Sequence, residues 1–238
     1  LKSGDFIIED DNGNLAATQK VCDLNGNETV KFAAKDIPAF GYKVFYIKDG
    51  KATNEKCAEF KDNTLENKFY KISFAQNGDI VSIYDKSNDR EVLKGAGNRI
   101  CLFEDNASSH DAWDIIPEHR DFEVDISGGE IAEFENGPVE ASVIYKKKFL
   151  NSTFEQKIIV YNDIDRIDFE TKADWNETHK ILRTDFEFDI VTDKYTTNLA
   201  YASMERPVNA FNTYDEARFE VCAQDFIDMS EEGFGVSI

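Results

Sequence analysis

The sequence predicts an all-β protein, a large antiparallel β-sandwich preceded by part of a smaller β domain. Three observations carry that prediction. Apolar and polar residues alternate with a period of two through most of the chain, the spacing that turns one face of a strand toward a core. β-Branched and aromatic residues crowd the same segments, as half-buried pleated surfaces favour. No stretch sustains apolar spacing over three helical turns.

Residues 1–50 read as a short β unit, closing on Pro38, Gly41 and an apolar-rich run over 42–47. Residues 51–67, rich in Lys, Asn, Glu and Asp, read as a linker or long loop. The expected division therefore assigns 1–62 to the tail of a preceding β domain with its linker, and 63–238 to the large sandwich. In 68–74, Tyr70, Ile72 and Phe74 face one way and Lys71 and Ser73 the other. Gln76-Asn77-Gly78-Asp79 is a turn by composition, and the apolar run resumes over 80–84, a hairpin signal. A second hairpin spans 143–150 and 154–161 around Asn151-Ser152-Thr153, and Asn162-Asp163 turns the chain into 166–173. Segments 185–191 and 217–222 read as further strands, and 213–217 and 225–231 as short turns. The apolar run 234–238 looks like an unfinished strand; with Leu1 in first place, it makes the sequence read as a piece of a longer protein, truncated at its C-terminal end. Many strands joined by tight polar turns bury both faces most simply as a sandwich.

The formal net charge is −20, from 47 acidic and 27 basic residues, and −18 of it falls after residue 62. Phosphate backbones and anionic membrane surfaces carry the same sign, which argues against nucleic acid or membrane as a partner. A neutral sugar is not repelled. No run of about 18 apolar residues is present to span a bilayer. Cys22, Cys57, Cys101 and Cys222 lie far apart without a C-x-x-C spacing, among strand-like residues. They read as buried free thiols, and so as a sign of the cytoplasm.

Two segments are denser in mixed aromatic, acidic and His residues than a strand interior requires. The first runs from Phe103-Glu104-Asp105 through His110-Asp111-Ala112-Trp113-Asp114, and the second is Ala173-Asp174-Trp175-Asn176-Glu177-Thr178-His179-Lys180. A tryptophan flanked by carboxylates suits a sugar: the ring covers the apolar face of a pyranose while carboxylates accept hydrogen bonds from its hydroxyls. Core packing is the ordinary role of Trp in a sandwich, so both readings stand. His110, Glu118 and His119 lack a diagnostic metal spacing and read as unliganded.

Several strings, taken in order, resemble the C-terminal region of glycoside hydrolase family thirty-eight, the α-mannosidases. They are Asn67-Lys68-Phe69-Tyr70, Ile80-Val81-Ser82-Ile83-Tyr84-Asp85-Lys86, Arg90-Glu91-Val92-Leu93 and Leu102-Phe103-Glu104-Asp105. Asp111-Ala112-Trp113-Asp114-Ile115, Ala173-Asp174-Trp175, Glu205-Arg206-Pro207 and Gly233-Phe234-Gly235-Val236 continue the series. Val208 and Asn176 depart from the family pattern, which often has Thr and His there. The resemblance implies a supersandwich of the galactose mutarotase-like type. It also implies a whole enzyme that binds zinc, forms a covalent mannosyl-enzyme and hydrolyses terminal α-mannosides with retention. The nucleophile and zinc ligands would lie upstream, so this stretch is expected to hold no catalytic residue and no metal, and to be inactive alone. Its expected partners are the N-terminal catalytic domain of the same chain and a mannose-containing oligosaccharide. The residues placed nearest the sugar are His110, Asp111, Trp113 and Asp114, followed by Arg206, whose guanidinium can fork onto hydroxyls. The structural alternative has Trp113 packed and Arg206 paired with a carboxylate. The rival function is a stand-alone carbohydrate-binding or structural β module.

Overall fold

The computed structural model describes residues 5–107, 109–110 and 113–238. The small unit holds β1 (Phe6–Asp10), β2 (Leu15–Ala16), β3 (Thr18–Cys22), β4 (Glu28–Phe32) and β5 (Phe45–Asp49). Next come β6 (Ala58–Lys61), β7 (Thr64–Asn67), β8 (Tyr70–Phe74), β9 (Ile80–Asp85), β10 (Arg90–Glu91), β11 (Arg99–Glu104) and β12 (Glu123–Val124). The chain continues through β13 (Glu130–Asn136), β14 (Glu140–Phe149), β15 (Ser152–Tyr161), β16 (Ile167–Asp174) and β17 (Lys180–Asp185). It closes with β18 (Lys194–Leu199), β19 (Ala202–Pro207), the short helix α1 (Thr213–Ala217), β20 (Ile227–Glu231) and β21 (Phe234–Ser237). The expected all-β, antiparallel architecture is what forms. The sheets run β2-β1-β5, β3-β4, β10-β9-β8-β7-β6, β12-β11-β17, β13-β14-β15-β16 and β19-β18-β20-β21, and each pairing is antiparallel.

The hairpin β14–β15 is the spine, paired from Glu140↔Tyr161 to Phe149↔Ser152. Its turn is Leu150-Asn151, with Leu150 in the left-handed region at φ 47°, so Ser152 and Thr153 belong to the strand rather than to the expected turn. One face of the hairpin serves two cores. Ala141, Val143, Ile158 and Val160 pack against Leu65, Ile72, Phe74, Ile80 and Ile83 of the β6–β10 sheet. Further along, Tyr145, Phe149 and Phe154 pack against Ile100, Leu102 and Ile126. Tyr145 is why the turn after β8 carries glycine: Gly78 sits at φ 87°, and a Cβ there would lie 2.0 Å from the tyrosine ring.

The opposite face of the hairpin is polar and lies under the small unit. Gln19 Oε1 accepts hydrogen bonds from the backbone N–H groups of Val139 and Glu140. Lys31 pairs with the buried Glu140 at 2.7 Å. Lys157, 1% exposed, pairs with Glu135 at 2.5 Å and donates to the Cys22 carbonyl. These charges tolerate burial because each has its opposite within reach.

Several expectations are corrected. The stretch over 51–67 is not all loop: β6 and β7 fold back on each other across Asp62-Asn63, both at positive φ, the geometry of a tight hairpin turn. The five-stranded sheet therefore begins at Ala58. The strand expected over 185–191 lies earlier, at β17, because its partner β11 pairs with Lys180 through Asp185. Beyond it, Phe186 and Phe188 stack on each other at 5.6 Å, and Phe188 bridges to Leu93 alone. Residues 217–222 form no strand: Asn212 caps the helix that ends at Ala217 by accepting from Tyr214 N and Asp215 N, and the chain beyond runs as turn and loop. The turn expected over 225–231 holds strand β20. All four cysteines are free, yet only Cys101 is buried; Cys22, at a strand end, and Cys222, in a loop, are exposed.

Candidate functional site

The pairing of β11 with β17 brings the two aromatic and acidic segments to one edge. Glu104 faces Lys180 in the register, and their side chains pair at 2.9 Å. One residue on, Asp105 N donates to the His179 carbonyl at 2.9 Å. Segments some 70 residues apart in sequence thus leave the sheet side by side.

Their roles differ. Trp175 packs edge-on against Phe149 at 6.3 Å, and Glu177 accepts from Asn151 N and Ser152 Oγ at 2.8 and 2.7 Å. The second segment therefore caps the β14–β15 turn, the packing role. The first stands out from the surface. His110 is exposed at φ 56°, and its carbonyl accepts from Trp113 N at 2.7 Å and Asp114 N at 3.0 Å. Trp113 is 92% exposed, which removes the packed alternative for that ring. Asp114 is exposed and accepts from Ile115 N. Asp111 lies outside the described residues.

Arg206 sits on the edge strand β19, half-buried, and anchors by donating from Nε to Thr197 Oγ1 at 3.1 Å. Its expected alternative, a carboxylate pairing, does not occur among the described residues: the neighbouring Glu205 pairs with Lys194. Among the described residues no hydrogen bond, ion pair or ring contact joins Arg206 to Trp113 or Asp114. None of these side chains lines either of two cavities, of about 510 and 690 Å³, that lie beside Gln19 and Asn136 in one case and Phe32 and Tyr161 in the other.

A polar cluster that sequence spacing does not reveal lies beneath the first segment. The 3₁₀ turn Pro117–Asp121 buries His119 to 2% exposure. The ring meets Phe103 edge-on at 5.5 Å and lies 6.4 Å from Phe219. Its Nδ1 is 2.8 Å from the Ile116 carbonyl and its Nε2 is 3.2 Å from Arg183 Nη1. Arg183 also pairs with Glu220, and Arg120 pairs with Asp185 at 3.1 Å. The members come from four separate stretches of chain, so no local motif marks them. Cys101, close by on β11, has its thiol pushed up to about 12 by burial, which leaves it a poor nucleophile. Among the described residues no three His, Cys, Asp or Glu side chains converge to hold a metal ion, and no helix is long and apolar enough to cross a membrane.

Residues 65–238 match the model of the glycosyl hydrolases family 38 C-terminal domain. Alpha-mannosidase G of Dictyostelium discoideum is 36% identical over 185 residues, which cover 74% of this chain and 17% of that protein. Human alpha-mannosidase 2C1 is 28% identical over 180 residues, with the same coverage of 74% and 17%. Two crystal structures from Enterococcus faecalis share the fold over 100% of this chain. One is described as a protein in glycosyl hydrolase family 38, with TM-score 0.70, 16% identity and 33% of its own length covered. The other is described as an alpha-mannosidase, with TM-score 0.68, 16% identity and 32% covered. The chain thus spans about a sixth of the curated relatives and a third of the solved ones.

Proposed function

This chain belongs to glycosyl hydrolase family 38, carrying its C-terminal domain from residue 65 onward, and on that premise we propose that it is the non-catalytic β portion of a retaining, zinc-dependent α-mannosidase that hydrolyses terminal α-mannosides. The observation that carries the reading is the match of that domain to proteins named alpha-mannosidase, of which it forms only 17%. In this reading the nucleophile and the zinc ligands belong to an N-terminal catalytic domain of the same polypeptide, which is the chain's principal partner. The β portion supports that domain and adds part of the pocket wall. Zinc, when bound upstream, supplies electrophilic stabilisation at the sugar. The residues here orient and enclose.

Two side chains support the wall. Trp113 presents an exposed ring, suited to the apolar face of a mannose residue in an oligosaccharide. Arg206 holds its Nε internally and keeps its forked donors for hydroxyls. His110, Asp111 and Asp114 are the remaining polar contacts proposed. Four unpaired cysteines favour a reducing compartment, and we assign the cytoplasm.

Hydrolysis of an aryl α-mannoside with added zinc, measured on this chain and on the full natural reading frame, tests the reading. Activity confined to the longer protein is expected. Turnover by this chain alone overturns it. Mannoside affinity retained by this chain, with no hydrolysis by the longer frame, would instead establish the carbohydrate-binding module that the exposed Trp113 also suits.

A further inference from the structure

We propose that His119 is a positioning residue that fastens residues 113–122 to β17 and to the 218–220 stretch. The tautomer follows from the partners. A guanidinium only donates, so Arg183 Nη1, 3.2 Å away, requires an acceptor at Nε2. A carbonyl only accepts, so the Ile116 oxygen, 2.8 Å away, requires the proton on Nδ1. One ring thus ties the entry of the 3₁₀ turn, through Ile116, to Arg183 of β17, and Arg183 passes the tie to Glu220. Phe103 and Phe219 close around the ring at 5.5 and 6.4 Å. Trp113 and Asp114 precede Ile116 by three and two residues, so their placement depends on this fastening.

The positioning stands on the hydrogen-bond geometry; its consequence for sugar binding rests on the pocket-wall reading above.

The test uses the full reading frame as wild type, His119→Phe and His119→Gln. Phe keeps the ring and loses both hydrogen bonds, whereas Gln keeps an acceptor for Arg183. Amide hydrogen exchange of 113–122 and 218–220 is followed at neutral pH. KM and kcat on an aryl α-mannoside are measured alongside. The Phe variant is expected to exchange about tenfold faster in both segments, with β14–β15 unchanged. The Gln variant is expected to keep most of the wild-type protection. Unchanged exchange in the Phe variant overturns the proposal, as does a loosening in the Gln variant equal to that in the Phe variant. Faster exchange with an unaltered KM supports the positioning and overturns the pocket-wall reading, so the two failures are separable.

Discussion

Trp113 and Trp175 begin from the same chemistry, a ring among carboxylates, and end in opposite roles. The difference is burial. Trp175 is 38% exposed and rests on Phe149, while Trp113 is 92% exposed. A side chain that touches little contributes little to stability, so Trp113→Ala is expected to change the unfolding free energy by less than about 0.5 kcal/mol. In the full reading frame the same variant is expected to raise KM for a mannoside, since a ring stacked on a sugar is lost on truncation. A thermal melt and a steady-state assay on one preparation check both halves. A large loss of stability would show that the ring packs after all.

Among the elements, β14 and β15 carry the fold because one face of this hairpin contributes to both cores. Ile158 is fully buried between Val143, its register partner, and the β6–β10 sheet. Ile158→Ala is expected to cost about 2–5 kcal/mol, as removal of buried methyl groups leaves a cavity that the sheets cannot fully close. Denaturant unfolding of the variant checks this. A cost below about 1 kcal/mol would mean that the two sheets collapse freely onto each other. The central hairpin was legible in sequence: the strands expected over 143–150 and 154–161 form as β14 and β15, paired along their whole length. The misplaced strands failed for a physical reason too. The apolar residues of 186–188 include Phe186 and Phe188, which stack on each other, and the helix capped by Asn212 carries the chain through Ala217, where a strand was expected to begin.

At the scale of the whole molecule, the small unit is held to the sandwich by ions and hydrogen bonds more than by apolar burial. Asp163 is central to this, pairing with Lys35 at 2.8 Å and Lys68 at 3.2 Å. The hydrogen bond from Lys35, above all, holds its carboxyl below the ordinary value of 3.8. A carboxylate depressed in the folded state stabilises fully above its unfolded pKa and loses that contribution as pH falls through the folded one. Stability is thus expected to decline as pH drops below 3.8 toward the folded value, and Asp163→Asn to flatten that part of the profile. Melting temperature against pH for the two proteins measures it; parallel profiles would rule Asp163 out as the source.

The amino-acid sequence by itself determined the all-β class, the central hairpin strands and the acidic charge, because period-two alternation and charge are local properties that survive into any fold. The ordered family strings also carried the kinship. Tertiary structure alone decided which Trp packs and which stands clear, that Arg206 has no carboxylate partner among the described residues, and that His119, Arg183 and Glu220 meet. Those outcomes depend on the β11–β17 register and on segments up to 101 residues apart, where nothing in the intervening chain encodes the distance.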